Sequence, residues 1–205
     1  ILSSLKKKFK NILVVDDGSN DETRNILSKS KVKVIRHQLN LGQGAAISTG
    51  LSYISHLKCA KAVVTMDADG QHSIDDVESF ANEIIKCREE IIFGSRFLGH
   101  SGNIPFLKRI TLKIVSFFTN RISKIGLTDV HNGLKAYKVS AIDRLGMTID
   151  GFGFESQIIH SVSKRRISYK EMPTNIAYTK YSLSKGQKLR NGLLIIEDLL
   201  KSKRQ

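Results

Sequence analysis

Asp67-Ala68-Asp69 stands at the end of an apolar run, Ala62 to Asp67 (AVVTMD). Such a run reads as a buried strand, and in an extended segment residues i and i+2 point the same way. Two carboxylates therefore converge on one spot. Hard oxygen donors suit Mg or Mn, and an ion held there can bridge a diphosphate and stabilise it as a leaving group. A solvated D-x-D-G turn gives the same string, so the spacing leaves both readings open. A second pair, Asp16-Asp17, ends the run Ile12 to Asp16 and precedes Gly18-Ser19. A carboxylate there can accept hydrogen bonds from a base or ribose; the segment can also be a turn with Ser19 capping a helix. Asn40 to Ala46 (NLGQGAA) opens a helix, and glycines such as Gly44 allow a ligand close to the backbone. The third glycine of a dinucleotide fingerprint and the lysine of a P-loop are both missing.

The elements that must position these groups alternate in the first half. Strands are expected at Ile12 to Asp16, Val32 to Arg36, Ala62 to Asp67 and Ile91 to Phe93. Helices fall between them: one opened by a Ser19/Glu22 capping box and running to Lys29, one from Gly42 to His56, and one opened by Ser73 with Asp76. Strands separated by helices of this length imply a mostly parallel sheet with right-handed crossovers. Both acidic pairs then lie at the carboxyl end of the sheet, where open α/β sheets bind ligands. The second half predicts a basic amphipathic helix over Ile104–Ile125, a strand over Leu134–Val139 and a helix over Phe154–Arg166. A strand interrupted at Pro173 lies within Ile167–Ile176, and a helix spans Gly186–Lys201.

The 205 residues suggest one domain, and the uneven charge suggests a half suited to nucleotide and metal (1–100) and a half suited to phosphate or membrane (101–205). The formal net charge is +14, which points to an anionic partner. No Asp or Glu occurs between Glu90 and Asp129, while six Lys and Arg do. Two cysteines make no disulfide framework and no zinc spacing, so a reducing compartment is expected. The sequence contains no run of about 18 apolar residues, the length needed to span a bilayer. The helix over Ile104–Ile125 can lie on an anionic surface with Phe106, Phe117 and Phe118 inserted and Lys108, Arg109 and Lys113 at headgroups; its apolar face can equally pack on the sheet.

Together, VVDDGSNDET, NLGQGAA, TMDADGQH and FGSRF, in this order and spacing, resemble the family-2 glycosyltransferases. The subgroup they are most similar to is the dolichyl- or polyprenyl-phosphate sugar synthases, over roughly residues 10 to 190. The resemblance implies a GT-A, Rossmann-like α/β fold and metal-dependent, inverting transfer of a sugar from a nucleotide-diphospho-sugar to a polyprenyl phosphate. It implies that Asp16 and Asp17 contact the nucleoside, that Asp67, Asp69 and Gln71 hold the metal and diphosphate, and that Arg96 meets phosphate. Asp129 to Lys135 (DVHNGLK) matches the family's D-x-x-S-G-F-R acceptor loop, with Asn132, Leu134 and Lys135 where Ser, Phe and Arg are usual. The family's terminal basic element is partly matched by Lys180 to Lys188, which includes Lys185. Family members begin with a strand that precedes the helix into which Ile1 to Leu5 falls, so an N-terminally truncated sheet is expected.

A lipid phosphate is already anionic and needs no strong base. A sugar hydroxyl needs a carboxylate, for which Asp129 is the first candidate and Glu155 the second; Asp129 can also be a turn residue. A transferase extending a surface polysaccharide is the alternative. A receiver-type signalling domain fits ILVVDD, but the chain is long for one. A nucleic-acid module rests on charge alone, since aromatics are 7% with no Trp, and no specific nucleic-acid partner is expected. The expected location is the cytoplasmic face of a membrane, peripherally bound.

Overall fold

The computed structural model describes residues 1–99, 104–146 and 154–177. Its elements run α1 (Leu2–Lys8), β1 (Leu13–Asp16), α2 (Thr23–Lys29), β2 (Lys33–Arg36), α3 (Gln43–Ser55), β3 (Ala62–Thr65) and α4 (Ile74–Lys86), followed by β4 (Ile91–Ser95), α5 (Phe106–Ser123), β5 (Lys135–Lys138), α6 (Val139–Leu145), α7 (Phe154–Lys164) and β6 (Tyr169–Pro173). The expected helix over Gly186–Lys201 lies outside the described residues.

Helix α4 starts where its sequence dictates: the Ser73 side chain accepts the Asp75 amide, and Asp75 and Asp76 occupy the positive first turn. The expected capping box at α2 is not formed. Glu22 is its N-cap, and the Ser19 amide instead donates to Asp16 Oδ1 at 3.0 Å. Helix α6 was not expected; it is two turns long and ends at Gly146, whose φ of +54° needs no Cβ.

The strands form a two-stranded parallel sheet and a four-stranded mixed one in which β5 alone runs against its neighbours. β1 and β2 pair in parallel, Leu13 opposite Lys33. The other four strands lie in the order β3-β5-β4-β6. β5 is antiparallel to both β3 and β4, whereas β4 and β6 are parallel. The 18-residue α5 carries the chain away after β4, so β5 re-enters from the opposite end. β4, with a partner on each side, is buried along its whole length; β1 and β3 each have one partner among the described residues and are only half-buried over their apolar residues.

Period-two alternation divides the core between the two faces of the sheet. Ile91, Phe93 and Tyr137 face a cluster with Leu51, Leu145, Ile158 and Ile159. Ile92 and Ala136 face Val77, Phe80 and Ile84. Helices therefore cover both faces, as an α/β sandwich requires.

Of the two expected orientations of helix α5, the structure takes the one with its large apolar side chains outward. Its buried face is Val115, Ser116, Thr119 and Ser123, while Phe106, Leu107, Ile110, Ile114, Phe117 and Phe118 are exposed. Small side chains let it sit close to the body, and the large apolar ones point away.

Candidate active site

Asp67 follows β3 and Asp69 lies in a turn closed by Gly70 at φ +81°. The extended i, i+2 geometry expected for this pair is thus replaced by a turn. Asp67 Oδ1 accepts the Gln43 side-chain amide at 2.6 Å. Asp69 Oδ1 accepts the Gln71 amide at 3.0 Å. Gly133 faces Asp67 so closely that a Cβ there would sit 2.2 Å from Oδ2; only glycine lets the carboxylate pack in this position. Among the described residues no three of His, Cys, Asp and Glu cluster to hold an ion unaided. The donor set nevertheless fits a hard divalent ion of the Mg or Mn kind, which commonly takes one or two protein carboxylates and completes its shell with substrate phosphate and water.

His72 is buried beside this turn, with Nδ1 lacking a hydrogen-bond partner. Burial lowers its pKa, and the charges of Asp67 and Asp69 oppose that. The backbone around it is fixed by bridging to the segment after β6: His72 pairs with Ile176, and the Ala177 amide donates to the Gln71 carbonyl at 2.9 Å.

Asp129 and Glu155 are both engaged by cations. The Asp129 side chain is fully buried; its Oδ2 accepts Arg96 Nε at 2.6 Å and the Arg96 amide at 3.0 Å. Arg96 also donates to the His131 carbonyl at 2.5 Å, so its guanidinium is turned into the 129–135 loop. Asn132 is a buried strut of the same loop. Its amide donates to Thr174 Oγ1 at 2.8 Å and its Oδ1 accepts the Leu134 amide at 3.0 Å. Lys135 Nζ donates to the Asn132 carbonyl at 2.6 Å and pairs with Glu155 Oε2 at 2.5 Å. Burial raises the Glu155 pKa; Lys135 opposes the rise, and Asp67 and Asp129 add to it. Burial and Lys135 push the His131 ring down to about 4.

The first acidic pair has a different surrounding. Asp16 is buried at the end of β1 and pairs with Arg36 at 3.1 Å, on the wall of a roughly 300 Å³ cavity also lined by Arg24 and Lys31. Asp17 holds the glycine loop: Oδ1 accepts the Leu41 amide at 2.9 Å, Oδ2 accepts the Gly42 amide at 2.7 Å, and His37 Nδ1 lies 2.7 Å from Oδ1. Burial raises the Asp17 pKa, but these two amides and the His37 ring together bring it below its ordinary value. Gly44 makes its close approach to Phe154, whose Cβ would lie 2.6 Å from an added Cβ, so the glycine admits a core side chain and not a ligand. Lys185 lies outside the described residues.

The structure therefore gathers Asp67, Asp69, Arg96, Asp129, Asn132, Lys135 and Glu155 at one end of the sheet with His72, which neighbours the acidic motif in sequence, and adds Gln43, His131 and Gly133. It also adds Lys108, expected at a membrane headgroup. Burial and neighbouring Arg96 lower the Lys108 pKa while Asp69 raises it, so its ammonium is near both. The helical wheel carried the signal: Lys108 lies about 200° from Phe106, on the side opposite the outward phenylalanines.

The family model described as Glycosyl transferase family 2 matches residues 1–146. An uncharacterized protein of Methanocaldococcus jannaschii is 35% identical over 98% of this chain and 85% of its own length. The UDP-N-acetylglucosamine–dolichyl-phosphate N-acetylglucosaminyltransferase of Methanococcus voltae is 32% identical, with 94% of this chain and 84% of that protein covered. Among solved structures, glucosyl-3-phosphoglycerate synthase from Mycobacterium tuberculosis, in complex with Mn2+, UDP and glucosyl-3-phosphoglycerate, superposes with a TM-score of 0.68 at 12% identity, over 97% of this chain and 71% of that one. That likeness speaks for the fold, and the nucleotide-sugar transferase architecture takes the place of the receiver-domain reading. The chain belongs to glycosyl transferase family 2 and is a glycosyltransferase, similar in sequence to a dolichyl-phosphate N-acetylglucosaminyltransferase.

Proposed function

We propose that this chain transfers a sugar from a nucleotide-diphospho-sugar to a polyprenyl phosphate presented at the cytoplasmic face of an anionic membrane, with inversion at the anomeric carbon. The single observation that carries the acceptor class is the state of the two candidate bases. Asp129 is tied to Arg96 through Oδ2 and Glu155 to Lys135 through Oε2, so each carboxylate already serves to neutralise a buried cation. A nucleophile that is already anionic needs no such base. The same reading makes Asp129 and Glu155 positioning residues, holding the Arg96 guanidinium and the Lys135 ammonium against the 129–135 loop.

On the donor side, Asp67 and Asp69 would hold a Mg or Mn ion, with Gln71 beside them. When bound, that ion supplies positive charge to the departing diphosphate. Gln43 fixes the Asp67 carboxylate and Gly133 gives it the room to sit there. Lys108 adds a cation near Asp69, suited to phosphate of donor or acceptor. Asp17 acts one step removed, by shaping the loop from Leu41 to Gly42. Asp16, on the cavity wall with Arg36, is the carboxylate suited to the nucleoside.

The test compares three acceptors with labelled nucleotide sugars and Mn: a polyprenyl phosphate, the matching polyprenol, and an oligosaccharide. Product is expected only with the phosphate, with the rate rising as the acceptor's second ionisation completes near pH 6 and with inverted anomeric configuration by NMR. Comparable turnover with polyprenol or oligosaccharide would overturn the acceptor class and favour an enzyme that extends a polysaccharide. Retained configuration would overturn direct displacement.

A further inference from the structure

Helix α5 presents to solvent the side chains that a helix ordinarily buries. With Phe106 as zero and 100° per residue, Phe117, Ile110, Ile114, Leu107 and Phe118 all fall within about 120°, while Val115, Thr119, Ser123 and Ser116 fall between about 180° and 280°. The outward residues are large: Phe106 is 75% exposed, Leu107 67% and Phe117 64%. Phe117 and Phe118 pack edge to face, with ring centroids 5.6 Å apart, so the patch has a formed surface. A contiguous outward stripe of this kind is uncommon on a monomer and marks something that covers it.

Charge decides what covers it. Arg109 and Lys113 border the stripe on one side, Arg121 and Lys124 stand at its C-terminal end, and none of the four is buried. Lys113 is held over the Phe97 ring at 5.8 Å. No acidic residue lies between Glu90 and Asp129, and the whole chain carries +14. A second copy would bring two such cationic rims together and be repelled. An anionic lipid surface satisfies both features at once: apolar side chains enter the acyl boundary while Lys and Arg stay with the headgroups.

We propose that the outward face of α5 is the membrane-docking element, with anionic phospholipid as its partner. The inference rests on the lipid-phosphate reading above and extends it to a surface. Because Lys108 projects from the opposite side of the same helix towards Asp69 and Arg96, one rigid helix joins the lipid surface to the site. Docking would set the height at which a lipid-borne phosphate arrives, and leave the donor site unchanged.

The experiment is flotation of the purified chain with phosphatidylcholine vesicles containing about 30% phosphatidylglycerol, against phosphatidylcholine alone. The chain is expected to float with the anionic vesicles. Phe106→Ser/Phe117→Ser should lower its partitioning at least about tenfold. Arg109→Gln/Lys113→Gln should lower it about tenfold at low salt and little at high salt. Both variants should keep the wild-type melting temperature, Mn-dependent nucleotide binding, and turnover with a water-soluble short-chain isoprenyl phosphate, which excludes misfolding as the cause. Equal flotation of wild type and the phenylalanine variant would overturn the proposal. So would a concentration-dependent dimer in sedimentation velocity that the phenylalanine variant abolishes without change in flotation. The two readings fail separately: vesicle binding without transfer to any lipid phosphate sinks the acceptor assignment, and transfer without vesicle binding sinks the docking face.

Discussion

Two pairs of acids lie at the same end of this sheet and have opposite surroundings. Asp67 and Asp69 sit on a turn at the crevice, each with one oxygen engaged by a neutral amide. Asp129 and Glu155 lie deeper, each against a cation. A carboxylate whose partners are neutral donors keeps its charge for a ligand. One whose partner is a buried guanidinium or ammonium is part of the frame, because removing either member leaves the other charge uncompensated. The same residue type thus acts as ligand site or as strut, and the neighbours decide which.

Substitution should separate the pairs. The largest effect is expected at the crevice: Asp69→Asn should cut turnover with Mn about a thousandfold and abolish metal-dependent nucleotide stabilisation, with urea-unfolding stability within about 0.5 kcal/mol of wild type. A large stability loss in that variant would erase the distinction. Asp129→Asn should do the reverse in kind, costing about 3 kcal/mol in urea unfolding because the buried Arg96 charge loses its counter-charge. An unchanged midpoint would show that the pair is no strut.

The pH dependence sharpens the contrast. His131 belongs to the buried frame, and burial holds it near 4, against about 6.5 when unfolded. Above pH 6.5 the ring is neutral in both states and adds nothing. Below it the unfolded chain takes up a proton that the folded chain refuses until about pH 4, so stability falls as pH falls. A gap of about 2.5 in pKa corresponds to about 3 kcal/mol at most, and partial exposure of the ring leaves about 2. His131→Asn should flatten the stability curve between these values by that amount, measured by urea unfolding across the range. The smallest effect is expected outside both pairs: Ser73→Ala, which removes the α4 cap, should cost about 1 kcal/mol and leave nucleotide affinity untouched. A fall in affinity would mean that the α4 cap also orders the neighbouring His72 and the Asp69 turn.

Much of this was legible in the chain. The alternation of short apolar runs with amphipathic segments located β1 to β4 and the helices between them, because burial of a strand and of a helix face imposes different periods. The strings around Asp16, Asp67 and Arg96 located the crevice, since strand ends deliver their loops to one edge. The Ser73 cap of α4 was equally local. What periodicity could not give was direction in space. It specified a helix for α5 and a stripe of Phe and Ile on it, but Ser116, Thr119 and Ser123 proved to be the face small enough to approach the body, so the apolar stripe points outward. It specified a strand for β5, whereas its antiparallel insertion between β3 and β4 depends on where α5 and the 129–135 loop return the chain. Likewise Asp17, Gly44 and Asp129 were visible as residues able to do chemistry. Asp17 holds two loop amides, Gly44 admits Phe154 and Asp129 neutralises Arg96; each of these partners lies more than 20 residues away, and only the folded chain brings them within bonding distance. Local spacing determined which groups were present and on which element, because sterics and periodicity act over a few residues; long-range packing decided which carboxylates stayed available to a ligand, because a charge is set by what surrounds it.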